Sequence, residues 1–149
     1  MQTRIYRRRL PHIHPPGATF FLTFRLASTQ VKPLTPEERV TVVDHIASMK
    51  PGTVRAFVVM PDHVHLLYET SRDEDLAVTL QALKGASAHR LAKQGGRSAP
   101  IWQGETYDHV VRGEHELLET WRYVEANPVR RNLAEVAEAY HWSSAWKRQ

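Results

Sequence analysis

The sequence predicts an α+β fold in which an antiparallel sheet carries helices on one face. Three observations lead there. Four short segments rich in β-branched and aromatic residues alternate with two segments of helical apolar spacing. Two of the strand segments are separated by only three residues, the spacing of a hairpin. A third amphipathic segment follows the last strand, and the 149 residues fit one domain, residues 1–149, large enough to bury a core.

In chain order, residues 1–17 form a basic, proline-rich arm in which Arg4, Arg7, Arg8 and Arg9 precede Pro11, Pro15, Pro16 and Gly17. Proline cannot donate to a sheet ladder, so the arm is expected to run extended along the domain or along a nucleic acid. Its His12-Ile13-His14 triplet lies between prolines, off any strand, and reads as surface. Residues 18–26 (ATFFLTFRL) are the first strand, with Phe20, Leu22 and Phe24 alternating against Phe21, Thr23 and Arg25. Thr35 as N-cap, Pro36 at the first helical position and the acids Glu37 and Glu38 then start a helix. It runs to about Met49, with Val40, Val43 and Ile46 or Ala47 inward.

Residues 53–60 and 64–70 are the second and third strands, paired across Pro61-Asp62-His63. A second helix runs from Glu74 to about Gln94 with Leu76, Leu80 and Leu83 spaced for the core, and residues 95–100 read as a flexible loop. Residues 101–111 make an irregular fourth strand. A third helix opens at Gly113 and Glu114 and runs through Ala126, with Leu117, Trp121 and Val124 on an apolar stripe and Glu116, Thr120, Tyr123 and Asn127 on a polar one. Pro128 is expected to end it. The tail, residues 128–149, is expected to be mostly helical, then irregular, and to pack Trp142 and Trp146 on the domain. The order strand, helix, strand, strand, helix, strand is that of a ferredoxin-like sandwich, a four-stranded antiparallel sheet with helices on one face, here followed by an additional helix. That architecture serves many functions, so the chemistry has to be read from particular residues.

Composition narrows the choices. There is no cysteine, which excludes a disulfide framework and thiolate metal sites and is compatible with a reducing cytoplasm. The basic start is not followed by an apolar stretch, so no secretory signal is expected, and no segment is long and apolar enough to span a membrane. Lys and Arg number 20 against 16 acids, a net charge of +4, which favours a polyanionic partner, nucleic acid first.

Two stretches concentrate reactive side chains. In Met60-Pro61-Asp62-His63-Val64-His65, strand alternation places His63 and His65 on one face and Val64 in the core, which is half of a divalent-metal site. In Tyr123-Val124-Glu125-Ala126-Asn127-Pro128-Val129, the four-residue spacing sets Tyr123 and Asn127 on one helix face. Taken singly, a His-x-His pair at a strand edge is more often an ordinary surface or core pair than a pair of ligands, and Asn127 is equally compatible with a helix end. Lys84, Arg90, Arg112, Arg130 and Arg131 are candidate phosphate contacts or a solvated face, and Asp62 and Glu125 are candidate supports for the ligands. Tyr68, Tyr107 and Tyr140 read as structural, with Tyr107 second to Tyr123 as a candidate nucleophile.

Together with Trp102-Gln103, Tyr107-Asp108-His109-Val110-Val111-Arg112 and Trp142-Ser143-Ser144, these phrases occur in an order that resembles the single-tyrosine HUH transposases. The REP-associated tyrosine transposases of bacteria are the closest branch, and Arg7-Arg8-Arg9 and Phe20-Phe21-Leu22-Thr23-Phe24 also match it. The resemblance implies a metal-dependent single-stranded DNA endonuclease and strand-transferase. It assigns Mg or Mn to His63, His65 and Asn127, and the nucleophile to Tyr123 on a catalytic helix over residues 114–127. It also implies a 5′-phosphotyrosine intermediate and single-stranded DNA with hairpin or palindromic elements as partner. Arg7, Arg8 and Arg9 would follow the hairpin stem, and the protein would be a cytoplasmic monomer or homodimer. Gly104-Glu105-Thr106 departs from the family by placing an acid where relatives often carry a bulkier or basic residue, and the longer C-terminal segment of some relatives is expected to be missing after Trp146.

Chemistry is compatible with this assignment. Two imidazoles and an amide add no negative charge, so a bound cation keeps its Lewis acidity for a phosphate. A free tyrosine hydroxyl has a pKa of about 10 and needs help to attack one. Two rival readings remain open: a module that binds hairpin nucleic acid without cutting it, and a metal-dependent nuclease that uses water as nucleophile.

Overall fold

The computed structural model describes residues 4–6 and 17–147. The expected strands form as β2 (Thr19–Arg25), β3 (Thr53–Val59), β4 (His63–Glu69) and β5 (Thr106–Val111), all antiparallel. Their spatial order, β5-β2-β4-β3, is the ferredoxin-like order. A fifth strand adds to it. Arg4–Tyr6 (β1) pairs with β5 through Arg4↔Asp108, Ile5↔Tyr107 and Tyr6↔Thr106. The arm was expected to run extended along the domain or along a nucleic acid, and these three residues, which precede its first proline, lie along the domain as a paired strand that can satisfy backbone groups β5 would otherwise present at a sheet edge. β5 is also shorter than expected: Leu26 and Trp102 make an isolated bridge, and the ladder resumes only at Thr106, beyond Gly104.

Helix α1 (Pro36–Ala47) carries the full capping box, in which the Thr35 side chain accepts from Glu38 N–H and the Glu38 carboxylate accepts from Thr35 N–H. Its buried face is Glu38, Val42, Val43 and Ile46, whereas Val40, expected inside, is 49% exposed. The reason is Arg97. Its guanidinium holds the Glu38 carboxylate at 2.6 and 2.8 Å and also donates to the carbonyls of Lys32 and Pro33. The same contacts pin the segment after α2 that the sequence presents as a flexible loop. Helix α2 (Leu76–Gly95) starts on Asp75, which caps Ala77 and Val78, and stops at Gly96 in the left-handed conformation.

Helix α3 (Gly113–Arg130) runs past Pro128 instead of ending there. Proline removes one N–H, which a last turn tolerates when later donors close it. Arg131 N–H bonds the Asn127 carbonyl, and Leu133 N–H bonds that of Pro128. The tail is less helical than expected: a 3₁₀ turn at Ala137–Ala139 and a single turn, α4 (Ser144–Lys147). Trp142 packs on the domain, while Trp146 stays 41% exposed. Between these turns the tail lies against β3, through the bridge Val58↔Ser143 and the bond from Val59 N–H to the Trp142 carbonyl.

Strand alternation divides the sheet into two faces. On one, Phe20, Leu22, Phe24, Phe57, Val59, Val64 and Leu66 meet Val42, Val43 and Ile46 of α1 and Leu76, Leu80, Leu83 and Leu91 of α2. On the other, a smaller cluster of Phe21, Ala56, Val58, Met60 and Leu67 meets Val124 of α3 and Tyr140 of the tail. The helices expected on one face are therefore α1 and α2, and the additional helix covers the opposite one. Among the described residues no helix is long and apolar enough to cross a membrane.

Candidate active site

Met60 N–H donates to the His63 carbonyl at 2.8 Å, closing the hairpin around Pro61 and Asp62, and β4 begins at once with His63. His63 and His65 then point to the α3 face while Val64 is fully buried in the larger core. Their ring centroids are 4.7 Å apart. His63 Nδ1 donates to Asp62 Oδ1 at 2.7 Å, and His65 Nδ1 lies 2.7 Å from Thr23 Oγ1, its register partner on β2. Phe21 stacks on His65 at 5.4 Å. With both Nδ1 atoms engaged, the Nε2 atoms are the ring nitrogens left for an incoming ligand.

Burial, the adjacent His63 and the guanidiniums of Arg25 and Arg131 push the pKa of His65 down to about 3. Burial also lowers that of His63, against the Asp62 carboxylate, which holds it up. Both rings are therefore neutral at pH 7, the form that binds a cation.

From the other side, α3 brings Tyr123 to 5.7 Å from the His65 ring and edge-on to Phe21 at 5.8 Å. Tyr123 is 40% exposed, and the Arg130 guanidinium sits 4.8 Å from its ring centre. One turn later Asn127 is only 6% exposed, and its Oδ1 has no hydrogen-bond partner, as is also true of Thr120 Oγ1. The polar stripe of α3 thus lies against the sheet, with Tyr123 at its margin. A buried amide oxygen without a partner is costly unless something binds it. Two neutral imidazoles and this oxygen fit a divalent ion with positions left open for other oxygens. Among the described residues no group of three His, Cys, Asp or Glu could hold a metal, so a site of this kind depends on the amide.

The remaining candidates divide. Arg130 and Arg131 are exposed near the histidines, and Arg112 is exposed at the N-cap of α3. Lys84 and Arg90 stand on α2, across the sheet: Lys84 donates to Gln103 O at 2.7 Å and Thr106 Oγ1 at 3.2 Å beside an apolar groove of about 510 Å³, and Arg90 borders Asp44 and His45 of α1. Arg7, Arg8, Arg9 and the His12-Ile13-His14 triplet lie outside the described residues. Asp62 supports His63, whereas the Glu125 carboxylate accepts from Ser144 of the tail. Tyr107 shares the histidine face but pairs with Thr23, two strands and roughly 10 Å from β4. Tyr68 and Tyr140 are buried, their hydroxyls donating to Glu74 and to the Val59 carbonyl. Thr23 and Arg25, which sequence reading passed over, lie beside the two histidines and join the candidate site. Their only signal was their place on the polar side of the first strand.

Residues 30–127, more than half of the chain, match the family model described as transposase IS200 like. A Haemophilus influenzae protein designated a REP-associated tyrosine transposase is 29% identical over 104 residues, which are 63% of this chain and 59% of that protein. The REP-associated tyrosine transposase of Escherichia coli K12 is 21% identical over 131 residues, 86% of this chain and 76% of that one. The structure of a REP-associated tyrosine transposase bound to a REP hairpin superposes with a TM-score of 0.75 at 20% identity, over 93% of this chain and 83% of that one. A transposase crystal structure from Deinococcus radiodurans superposes with a TM-score of 0.52 at 23% identity, over 78% and 95%. These structures share the fold, and the family model matched over residues 30–127 shows the family: the chain belongs to the IS200-like transposases.

Proposed function

We propose that this chain nicks single-stranded DNA and rejoins it through a 5′-phosphotyrosine at Tyr123, on DNA carrying hairpin or palindromic elements. The observation that carries the reading is the approach of Tyr123 to His65, 5.7 Å between ring centres, within one chain. His63 Nε2, His65 Nε2 and Asn127 Oδ1 would hold Mg or Mn, which when bound supplies Lewis acidity to the phosphate and the departing oxygen. Asp62 accepts the Nδ1–H of His63 and so leaves its Nε2 lone pair for the ion, and Thr23 Oγ1 accepting from His65 Nδ1 would do the same for His65.

The Tyr123 oxygen attacks the phosphorus, the bond to the 3′-oxygen breaks, and the phenolic proton passes to solvent as the released 3′-hydroxyl takes one up. The new phosphodiester keeps the energy of the old, so another 3′-hydroxyl can reverse the step without ATP. Arg25, Arg130 and Arg131 offer positive charge to the phosphates around the scissile one. Arg112 extends that surface, and Arg7 to Arg9 are assigned to the hairpin stem. Lys84 and Arg90 would meet only DNA that passes round the sheet. Because one chain brings Tyr123 to its own histidines, a monomer suffices, working on DNA in a bacterial cytoplasm.

Labelled single-stranded hairpin oligonucleotides with Mn or Mg test this on a denaturing gel. A metal-dependent protein–DNA adduct, absent in Tyr123→Phe and His63→Ala, is the expected result. Cleavage that survives Tyr123→Phe would establish a water-using nuclease, and tight binding without cleavage would establish a binding module.

A further inference from the structure

The tail reaches the reverse side of the helix that carries Tyr123. Helical residues turn by about 100° each, so Glu125 lies about 200° round α3 from Tyr123. The buried residues Thr120, Val124, Asn127 and Pro128 fall in the arc between the two. Tyr123 therefore marks one margin of the face that α3 lays on the sheet, towards His65, and Glu125 marks the other, towards β3. At that second margin the Ser144 hydroxyl donates to Glu125 Oε2 and accepts from Phe57 N–H of β3 at 3.0 Å.

Ser144 is itself anchored. Ser143 bridges Val58, Val59 N–H bonds the Trp142 carbonyl at 2.8 Å, and the Tyr140 hydroxyl donates to the Val59 carbonyl at 2.7 Å. Beneath α3 the fully buried apolar side chains are Val124 and Pro128, with Leu117 and Trp121 partly buried against the same cluster. Such contacts resist separation of helix and sheet better than they resist a roll about the helix axis, because dispersion is not directional. A hydrogen bond at the margin is directional.

We infer that Glu125 and Ser144 are positioning residues: their bond fixes the roll of α3 and so holds Tyr123 facing His65. A roll of one residue's angular step would carry the phenol away from the histidines, and loosening the margin opposite Tyr123 permits it. The inference rests on the strand-transfer reading for its catalytic consequence, but the placement of the ring can be read separately.

Protein labelled with 3-fluorotyrosine gives a ¹⁹F resonance for each of its five tyrosines, and Tyr123→Phe identifies the one of interest. Ser144→Ala and Glu125→Ala are expected to shift or broaden that resonance, and Glu125→Gln, which keeps an acceptor, to restore it. At saturating hairpin DNA the adduct rate of Ser144→Ala should fall about tenfold while half-saturation by DNA stays within about twofold, the pattern of lost positioning and not lost binding. A Tyr123 resonance unchanged in both alanine variants, or a rate that falls only in proportion to the folded fraction by circular dichroism, overturns the inference. Absence of any adduct in the wild type would instead count against the strand-transfer reading, and the resonance would still decide the placement.

Discussion

The two faces of the sheet are built on opposite terms. Beneath α1 and α2, apolar side chains of the sheet form one continuous core, and one of its buried charges, Glu38, is met by Arg97 and by the capping bonds of Thr35. Beneath α3 the apolar cluster is small, and beside it lie His63, His65, Thr23, Thr120 and Asn127, all buried. There the polar groups are only partly satisfied, Thr120 Oγ1 and Asn127 Oδ1 having no partner. The first face stabilises the fold. The second places two of its unmet hydrogen-bonding atoms on the helix that faces the histidines, where a ligand is expected.

Substitutions on the two faces should therefore separate chemistry from stability. The largest effect on chemistry is expected from Tyr123→Phe, which removes one exposed oxygen. Adduct formation should drop by at least about 10³-fold with an unchanged melting temperature, measured by gel and by thermal denaturation. Leu66→Ala on the opposite face should do the converse. It should cost about 2–5 kcal/mol in urea denaturation, by the cavity it leaves, with the adduct rate per folded molecule preserved.

Asn127→Ala sharpens the contrast. Deleting a buried amide whose oxygen has no partner should change stability by less than about 1 kcal/mol, whereas metal-dependent cleavage should fall about 10–100-fold. Asp62→Asn leaves His63 in place but weakens its orientation, and Mn titration by calorimetry should show a loss at the lower end of that same range.

The smallest effect concerns pH and belongs to the stabilising face. Arg97 holds the Glu38 carboxyl below its ordinary 4.5. A depressed carboxylate stabilises the folded state fully above its unfolded pKa, and that contribution is lost as the pH falls through the folded value. Glu38→Gln should therefore be less stable than the wild type at pH 7, and the gap should close as the pH is taken below 4.5. A gap that is constant with pH would show that Arg97 holds Glu38 by shape alone.

The elements were legible because each announces itself locally. Thr35-Pro36-Glu37-Glu38 spells a capped helix start, and Phe20, Leu22 and Phe24 alternate as a strand must. What escaped sequence reading depends on partners distant in the chain. Arg97 reads as loop until Glu38 is placed beside it, Val40 reads as core until Glu38 takes its place, and β1 has no signal beyond the empty edge of β5. Pro128 ends a helix in isolation but not where later donors close the turn. The candidate site shows the same division. His63, His65, Tyr123 and Asn127 stood out by spacing, whereas Thr23 and Arg25 are defined only by the register Thr23↔His65 and Arg25↔His63, which no local pattern encodes.

In the proposed strand transfer, the tyrosine beside these histidines becomes joined to DNA. Tandem mass spectrometry of the protease-digested adduct, formed with hairpin DNA and Mn, locates the modified side chain. The proposed chemistry predicts a 5′-linked nucleotide on Tyr123. A nucleotide on Tyr107, or cut DNA with every tyrosine unmodified, would contradict it.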